Sequence, residues 1–241
     1  MEILKKLQAK QEDLCGAPAV TIAFLGDSVT QGCFEVYKTG PESIETVFEA
    51  GNSYAAHLRR MLAVLYPNVP VHIINSGISG DNASGGAARL ERDVLRFHPD
   101  LVVVSFGLND SVSGLDGLPR YTEALSDIFS RTLESGSECI FLTENMMNTR
   151  QSCHIQDDFL KTLSAQFADI ENSGVLAAYF DAAKKTAQRC GVRVCDCYAK
   201  WRAMARAGVD TTALLANDLN HPSREMVQLF AYSLLETMFS A

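Results

Sequence analysis

Residues Ala19–Thr30 read AVTIAFLGDSVT. Ala19 to Leu25 is a continuous apolar run that stops at Gly26, and the polar Asp27-Ser28 pair follows at once. A run of this kind, apolar throughout instead of alternating, fits a strand buried on both faces of a parallel sheet. Four further runs match it: Val71–Asn75 (VHIIN), Leu101–Phe106 (LVVVSF), Cys139–Thr143 (CIFLT) and Val192–Asp196 (VRVCD). Helical spacing fills the intervals. Asn52–Tyr66 sets Tyr54, Leu58, Met61, Leu62 and Leu65 on one stripe, and Ser84–Phe97 does the same with Leu90, Val94 and Phe97. Tyr121–Glu134, Ser173–Arg189 and Ser223–Phe239 complete the helical set. Regular alternation of strand and helix predicts a three-layer α/β architecture with right-handed crossovers.

At 241 residues, with 47% hydrophobic and 21% charged residues, the chain reads as one globular domain over residues 1–241. The formal net charge of -8 argues against duplex nucleic acid as a partner and against adsorption to an anionic membrane. Seven scattered cysteines, with Cys195 and Cys197 two apart but no second pair at zinc-ligand spacing, read as reduced thiols. The N-terminal MEILKKLQAKQEDLCG lacks a signal-peptide core, and no window reaches the length of a membrane span. A cytoplasmic protein without membrane insertion is the expectation. Within residues 1–15, Ile3–Leu14 forms a candidate extra amphipathic helix, docked on the domain or on a second subunit; oligomeric state stays open.

Three connections exceed the usual two to six residues: Thr30–Gly51, Leu108–Leu118 and Glu144–Asp158. All follow strand C-termini, the edge where open α/β sheets form ligand crevices. Ser28 sits at that edge. A serine there either caps a helix or, given a base, acts as a nucleophile. Among five histidines, only His221 has a carboxylate at catalytic spacing in a loop, in Asp218-Leu219-Asn220-His221-Pro222. Asp218 could orient the imidazole, as in a catalytic triad, or simply organise the turn before Pro222. His57 falls in a helix, His72 in a strand, His98 at the opposite end of the sheet, and His154 in the third long loop without a clear partner. Gly80, in NSGISGDN, can offer an unshielded backbone N–H to an oxyanion, or make a tight turn. Asn109, in Gly107-Leu108-Asn109-Asp110, can donate from its side-chain amide, or form a cap or Asx-turn.

Taken in order, Gly26-Asp27-Ser28, Gly80, Gly107-Leu108-Asn109-Asp110 and Asp218-Leu219-Asn220-His221 resemble the blocks of the SGNH hydrolase superfamily, the GDSL-type esterases and lipases. The blocks span nearly the whole chain. Val29 stands where that family has Leu, and Thr30 replaces the second Gly of a G-x-S-x-G elbow. The resemblance implies a flavodoxin-like fold with five parallel strands in order 2-1-3-4-5. It further implies Ser28, Asp218 and His221 as the triad, an oxyanion hole from the Ser28 and Gly80 N–H groups and the Asn109 side chain, and no metal or organic cofactor.

The expected reaction is hydrolysis of a carboxylic ester through an acyl-enzyme, with a small-molecule ester as the partner. Phe34, Tyr37, Met146 and His154 in the long loops are candidate substrate contacts. Their mixture of aromatic and polar groups favours a short-acyl or acetyl ester of a carbohydrate or another small polar molecule. A lysophospholipase or acyl thioesterase is the alternative within the class. A non-catalytic carbohydrate-binding protein on the same fold is the alternative outside it.

Overall fold

A computed structural model describes residues 1–240. Helix α1 (Glu2–Glu12) precedes strand β1 (Val20–Gly26), the single turn α2 (Ser28–Gln31) and strands β2 (Cys33–Gly40) and β3 (Ser43–Phe48). Then come α3 (Tyr54–Leu65), β4 (Val71–Gly77), α4 (Ala83–Asp93), β5 (Leu101–Ser105), the short α5 (Leu108–Ser111) and α6 (Leu118–Glu134). The C-terminal part holds β6 (Glu138–Thr143), α7 (Asp158–Asn172), α8 (Val175–Arg189), β7 (Arg193–Asp196), α9 (Cys197–Arg206) and α10 (Arg224–Phe239).

All five expected core strands form, pair in parallel, and lie in the order β4-β1-β5-β6-β7. Counting core strands alone, this is 2-1-3-4-5. Every residue of β5 is buried, as the apolar run LVVVS requires of a strand covered on both faces. Helices α3 and α10 pack together, as do α4, α6 and α8. Two aromatic contacts bind layers: Tyr54 of α3 meets Phe24 of β1 edge-on at 5.6 Å and stacks on Phe230 of α10 at 5.7 Å.

Three elements depart from the sequence expectation. The Thr30–Gly51 connection is not irregular; it contains the antiparallel β2–β3 hairpin, paired through Val36–Thr46, Tyr37–Glu45 and Lys38–Ile44. Its turn, Gly40-Pro41-Glu42-Ser43, and the alternating exposure of β3 explain why no continuous apolar run marks it. Helix α7 follows the third long connection, capped by the Asp157 side chain on the Leu160 N–H, and α9 follows β7. Leu160, Leu163, Phe167 and Ile170 carry a helical spacing in α7 that the reading of loops alone passes over.

The N-terminal helix docks on its own chain. Ile3 and Leu7, one turn apart, are fully buried in the common core. Glu138, at the start of β6, accepts the free N–H groups of Glu2 and Ile3 at 3.0 and 2.7 Å, so it caps the helix from outside. Asp100 accepts from Lys6 Nζ and from the Thr21 N–H, tying α1 to the strand N-termini. No described helix is long and apolar enough to cross a membrane.

Candidate active site

Ser28 is the first residue of α2, directly beyond the C-terminal end of β1. The chain passes very close to β5 here. A Cβ on Gly26 would lie 2.6 Å from the Ser105 carbonyl oxygen and 2.0 Å from Thr30 Oγ1, so only glycine fits before the turn. Asp27 caps the turn by accepting the Val29 N–H at 2.9 Å. Thr30 is anchored below by a 2.7 Å hydrogen bond with Tyr54.

His221 reaches Ser28 from a separate loop. Ser28 Oγ lies 2.9 Å from His221 Nε2. His221 Nδ1 lies 2.8 Å from the backbone carbonyl oxygen of Phe34, which can only accept. The proton therefore sits on Nδ1, and Nε2 presents its lone pair to the serine hydroxyl. Both side chains are buried. Burial pushes the imidazole pKa down to about 4, opposed in part by the Phe34 carbonyl and the charge of Glu35. The ring is thus neutral at pH 7 and able to take a proton. In an NMR titration the His221 ring signals should have their midpoint near pH 4; a midpoint at or above the ordinary value of about 6.5 would contradict this environment.

Two networks fix that geometry. Asn217 Oδ1 accepts the N–H groups of Leu219, Asn220 and His221 at 3.0, 2.9 and 2.9 Å, and Ala216 N–H donates to the His221 carbonyl at 2.8 Å. Asn145 and Asn148, beyond β6, bind the carbonyls of Asn220 and Leu219. On the other side, Arg224 at the start of α10 grips both Glu35 (2.6 and 2.9 Å) and Glu49, and lies over the Phe34 ring at 4.4 Å. That bidentate clamp holds the Phe34 segment against the His221 loop, and the Arg224 guanidinium keeps the Glu49 carboxyl down at about 2.

Gly80 has φ +78°, a left-handed conformation suited to glycine. Among the described residues, no acceptor takes up the N–H of Ser28 or of Gly80. Asn109 lies at the same crevice, but both hydrogens of its amide are engaged: Nδ2 donates to Asp27 Oδ2 at 3.1 Å and to the Asp81 carbonyl at 2.8 Å. An oxyanion would have to share one of them. Ser28, Gly80, Asn109 and His221 all line one cavity of about 410 Å³.

Asp218 is not where a triad needs it. Its carboxylate faces the exposed His154, with Oδ2 3.5 Å from Nδ1, and makes no hydrogen bond to His221 among the described residues. The cause is local. Asp218 takes φ +57° at the tip of the loop that Asn217 folds, which turns its side chain away from the ring. The Phe34 carbonyl occupies the position next to Nδ1 instead.

A family model described as "GDSL-like Lipase/Acylhydrolase family" matches residues 24–229. The chain belongs to this family. A GDSL-like acylhydrolase chain with this sequence is similar to an acetylxylan esterase of Geobacillus stearothermophilus, at 33% identity over 37% of this chain and 39% of that protein. It is also similar to an arylesterase of Vibrio mimicus, at 34% identity over 45% of this chain and 49% of that one. The matched stretches thus span less than half of these curated relatives. The crystal structure of the acetylxylan esterase Axe2 from Geobacillus stearothermophilus superposes with a TM-score of 0.68, at 22% identity, covering 92% of this chain and 95% of that one, which establishes a shared fold.

The loop residues expected to contact substrate in this GDSL-like chain are placed otherwise. Phe34 and Met146 are buried in the core, Tyr37 is exposed on the hairpin, and His154 pairs with Asp218. None of the four lines the cavity. Its walls come from the two elements missed in the sequence: Val36, Ile44, Glu45 and Thr46 of the hairpin, and Leu163 and Phe167 of α7. Lys38 joins these walls, reaching Asp157 at 3.2 Å and covering the Phe159 ring at 4.9 Å. The structure also brings in Glu144, fully buried and accepting the Leu108 N–H at 3.0 Å. A single Glu after a strand carries no sequence signal of such a role.

Proposed function

We propose that the protein is a carboxylic ester hydrolase in which Ser28 and His221 form a catalytic dyad and the Phe34 carbonyl serves as its third member. The observation that carries this reading is the chain of contacts from Ser28 Oγ to His221 Nε2 and from Nδ1 to the Phe34 carbonyl. His221 takes the serine proton as Oγ attacks the ester carbonyl carbon, forming a tetrahedral intermediate. The free N–H groups of Ser28 and Gly80 receive the developing oxyanion, with Asn109 sharing a third donor. His221 then protonates the departing alcohol. A water, deprotonated by the same ring, attacks the acyl-Ser28 carbonyl; the bond from the acyl carbon to Oγ then breaks, His221 returns the proton to Oγ, and the acid leaves.

Phe34 contributes a dipole where a triad contributes a charge. A carbonyl fixes the tautomer as well as a carboxylate does but supports the imidazolium less strongly. Asp218 is accordingly assigned a role in shaping the His221 loop. Asp218→Ala is expected to cost no more than about tenfold in kcat, because the bond to Nδ1 stays in place. Turnover measured beside wild type checks this, and a loss of about 10³-fold or more would restore Asp218 to the triad.

The cavity favours a short acyl group on a polar alcohol. Its apolar side chains, Val36, Ile44, Leu163, Phe167 and Leu219, share the walls with Glu45, Thr46, Ser79, Asn109 and Asn220. That mixture suits a small ester whose alcohol carries hydroxyl groups, and the name of the acetylxylan esterase relative points the same way. A series of p-nitrophenyl esters from acetate to palmitate, run beside acetylated xylooligosaccharides, tests it. The expected optimum is at acetate with turnover of the acetylated sugar; an optimum at long chains would favour a lysophospholipase or thioesterase.

A further inference from the structure

Three carboxyl groups are buried behind the crevice, and among the described residues no cation is in hydrogen-bond contact with them: Asp27, Asp110 and Glu144. Asp110 is used locally, accepting the Ala83 N–H at the start of α4. The other two face each other. Each Asp27 oxygen accepts one donor, Oδ1 from the Val29 N–H and Oδ2 from Asn109 Nδ2, and each has a lone pair to spare. Glu144 Oε2 accepts the Leu108 N–H, while Oε1 is buried and receives no N–H or hydroxyl donor. The Asp27 carboxyl is its neighbour, close enough for a hydrogen bond if one of the two carries a proton.

Two ionised carboxylates cannot be hydrogen-bonded to each other, since both only accept. One proton must lie between them, and burial raises both carboxyls. The bonding pattern says which one carries it. Both Asp27 oxygens accept from donors, whereas Glu144 has one oxygen without any.

We propose that Glu144, held as a neutral carboxylic acid, is a positioning residue of the oxyanion hole, its O–H donating to Asp27 and Asp27 in turn holding the Asn109 amide. The role rests on the ester-hydrolase reading above. It does two things. Sharing the Asp27 charge weakens the grip of Asp27 on the Asn109 N–H, leaving that hydrogen available to an oxyanion. Keeping Glu144 neutral also spares the oxyanion a second negative charge in a site of low dielectric.

The test compares E144Q, E144A, N109A and the E144A/N109A double variant on p-nitrophenyl acetate, with active sites counted by a fluorophosphonate probe. Gln keeps the shape, an acceptor for Leu108 and a donor for Asp27, so E144Q should retain kcat within about threefold. E144A should lower kcat about tenfold with KM within about twofold, and cost less than about twofold further in N109A, because both act through one amide. An unchanged kcat in E144A, or costs that add in the double variant, would overturn the role, as would a tenfold loss in E144Q at unchanged Tm. Should E144A fail to fold, E144Q decides alone by the same limits. A wild type that is neither labelled nor active sinks the hydrolase reading and this role with it. A labelled, active wild type with the overturning pattern sinks this role alone.

Discussion

Ser28→Ala is expected to lower turnover of a short-chain ester by at least about 10⁴-fold, or roughly 5 kcal/mol of transition-state stabilisation. Alanine removes the atom that becomes acylated, and no neighbour can replace it. Among the described residues, Ser28 is the one whose hydroxyl lies 2.9 Å from His221 Nε2, and Ser28 lines the same cavity as Gly80 and Asn109. The fold should survive, since the capping bond of α2 runs from Val29 to Asp27 and does not involve the Ser28 side chain. Steady-state assays on p-nitrophenyl acetate, with Tm measured in parallel, check both halves. Retained turnover would remove Ser28 from the chemistry.

His221→Ala is expected to cost about 10³- to 10⁴-fold in kcat. Without it the Ser28 hydroxyl has no base within reach, and the Phe34 carbonyl loses its donor. A small residual rate should remain, carried by the Ser28 and Gly80 amides alone. The contrast with Asp218→Ala is the informative part. In a carboxylate triad both substitutions are severe; in a dyad closed by a backbone carbonyl only the histidine is.

Side-chain chemistry was legible in the sequence where a residue type with an evident role follows a strand end or sits in a polar, turn-rich loop. Ser28, Gly80, Asn109 and His221 are all legible from their placement, and the structure brings these four to one cavity. Phe34 shows what a sequence hides. Its ring marks it as a substrate contact, yet the ring is buried under Arg224 and the functional atom is its carbonyl, which every residue type carries. The contact joins positions 187 apart and leaves no residue-type signal. Asp218 shows the converse. Spacing of three from His221 suggested partnership, but the positive φ at Asp218 and the cap made by Asn217 decide where its carboxylate goes, and neither is visible as spacing.

The cavity walls fall between these cases. Alternation over Ser43–Phe48 and the Leu160-Leu163-Phe167-Ile170 spacing were present in the sequence as strand and helix signals. They lay in stretches that are long for connections, and a strand exposed on one face gives only a weak alternating pattern. Glu144 was out of reach altogether, because its state depends on Asp27 across the sheet edge.

The central claim is that Ser28 is a nucleophile activated by His221. Incubation of folded wild type, Ser28→Ala and His221→Ala with a fluorophosphonate, followed by peptide mass spectrometry, tests it directly. The account predicts one adduct per chain in wild type, on Ser28, none in Ser28→Ala, and much slower labelling in His221→Ala. An unlabelled wild type, or an adduct on a residue other than Ser28, would contradict it.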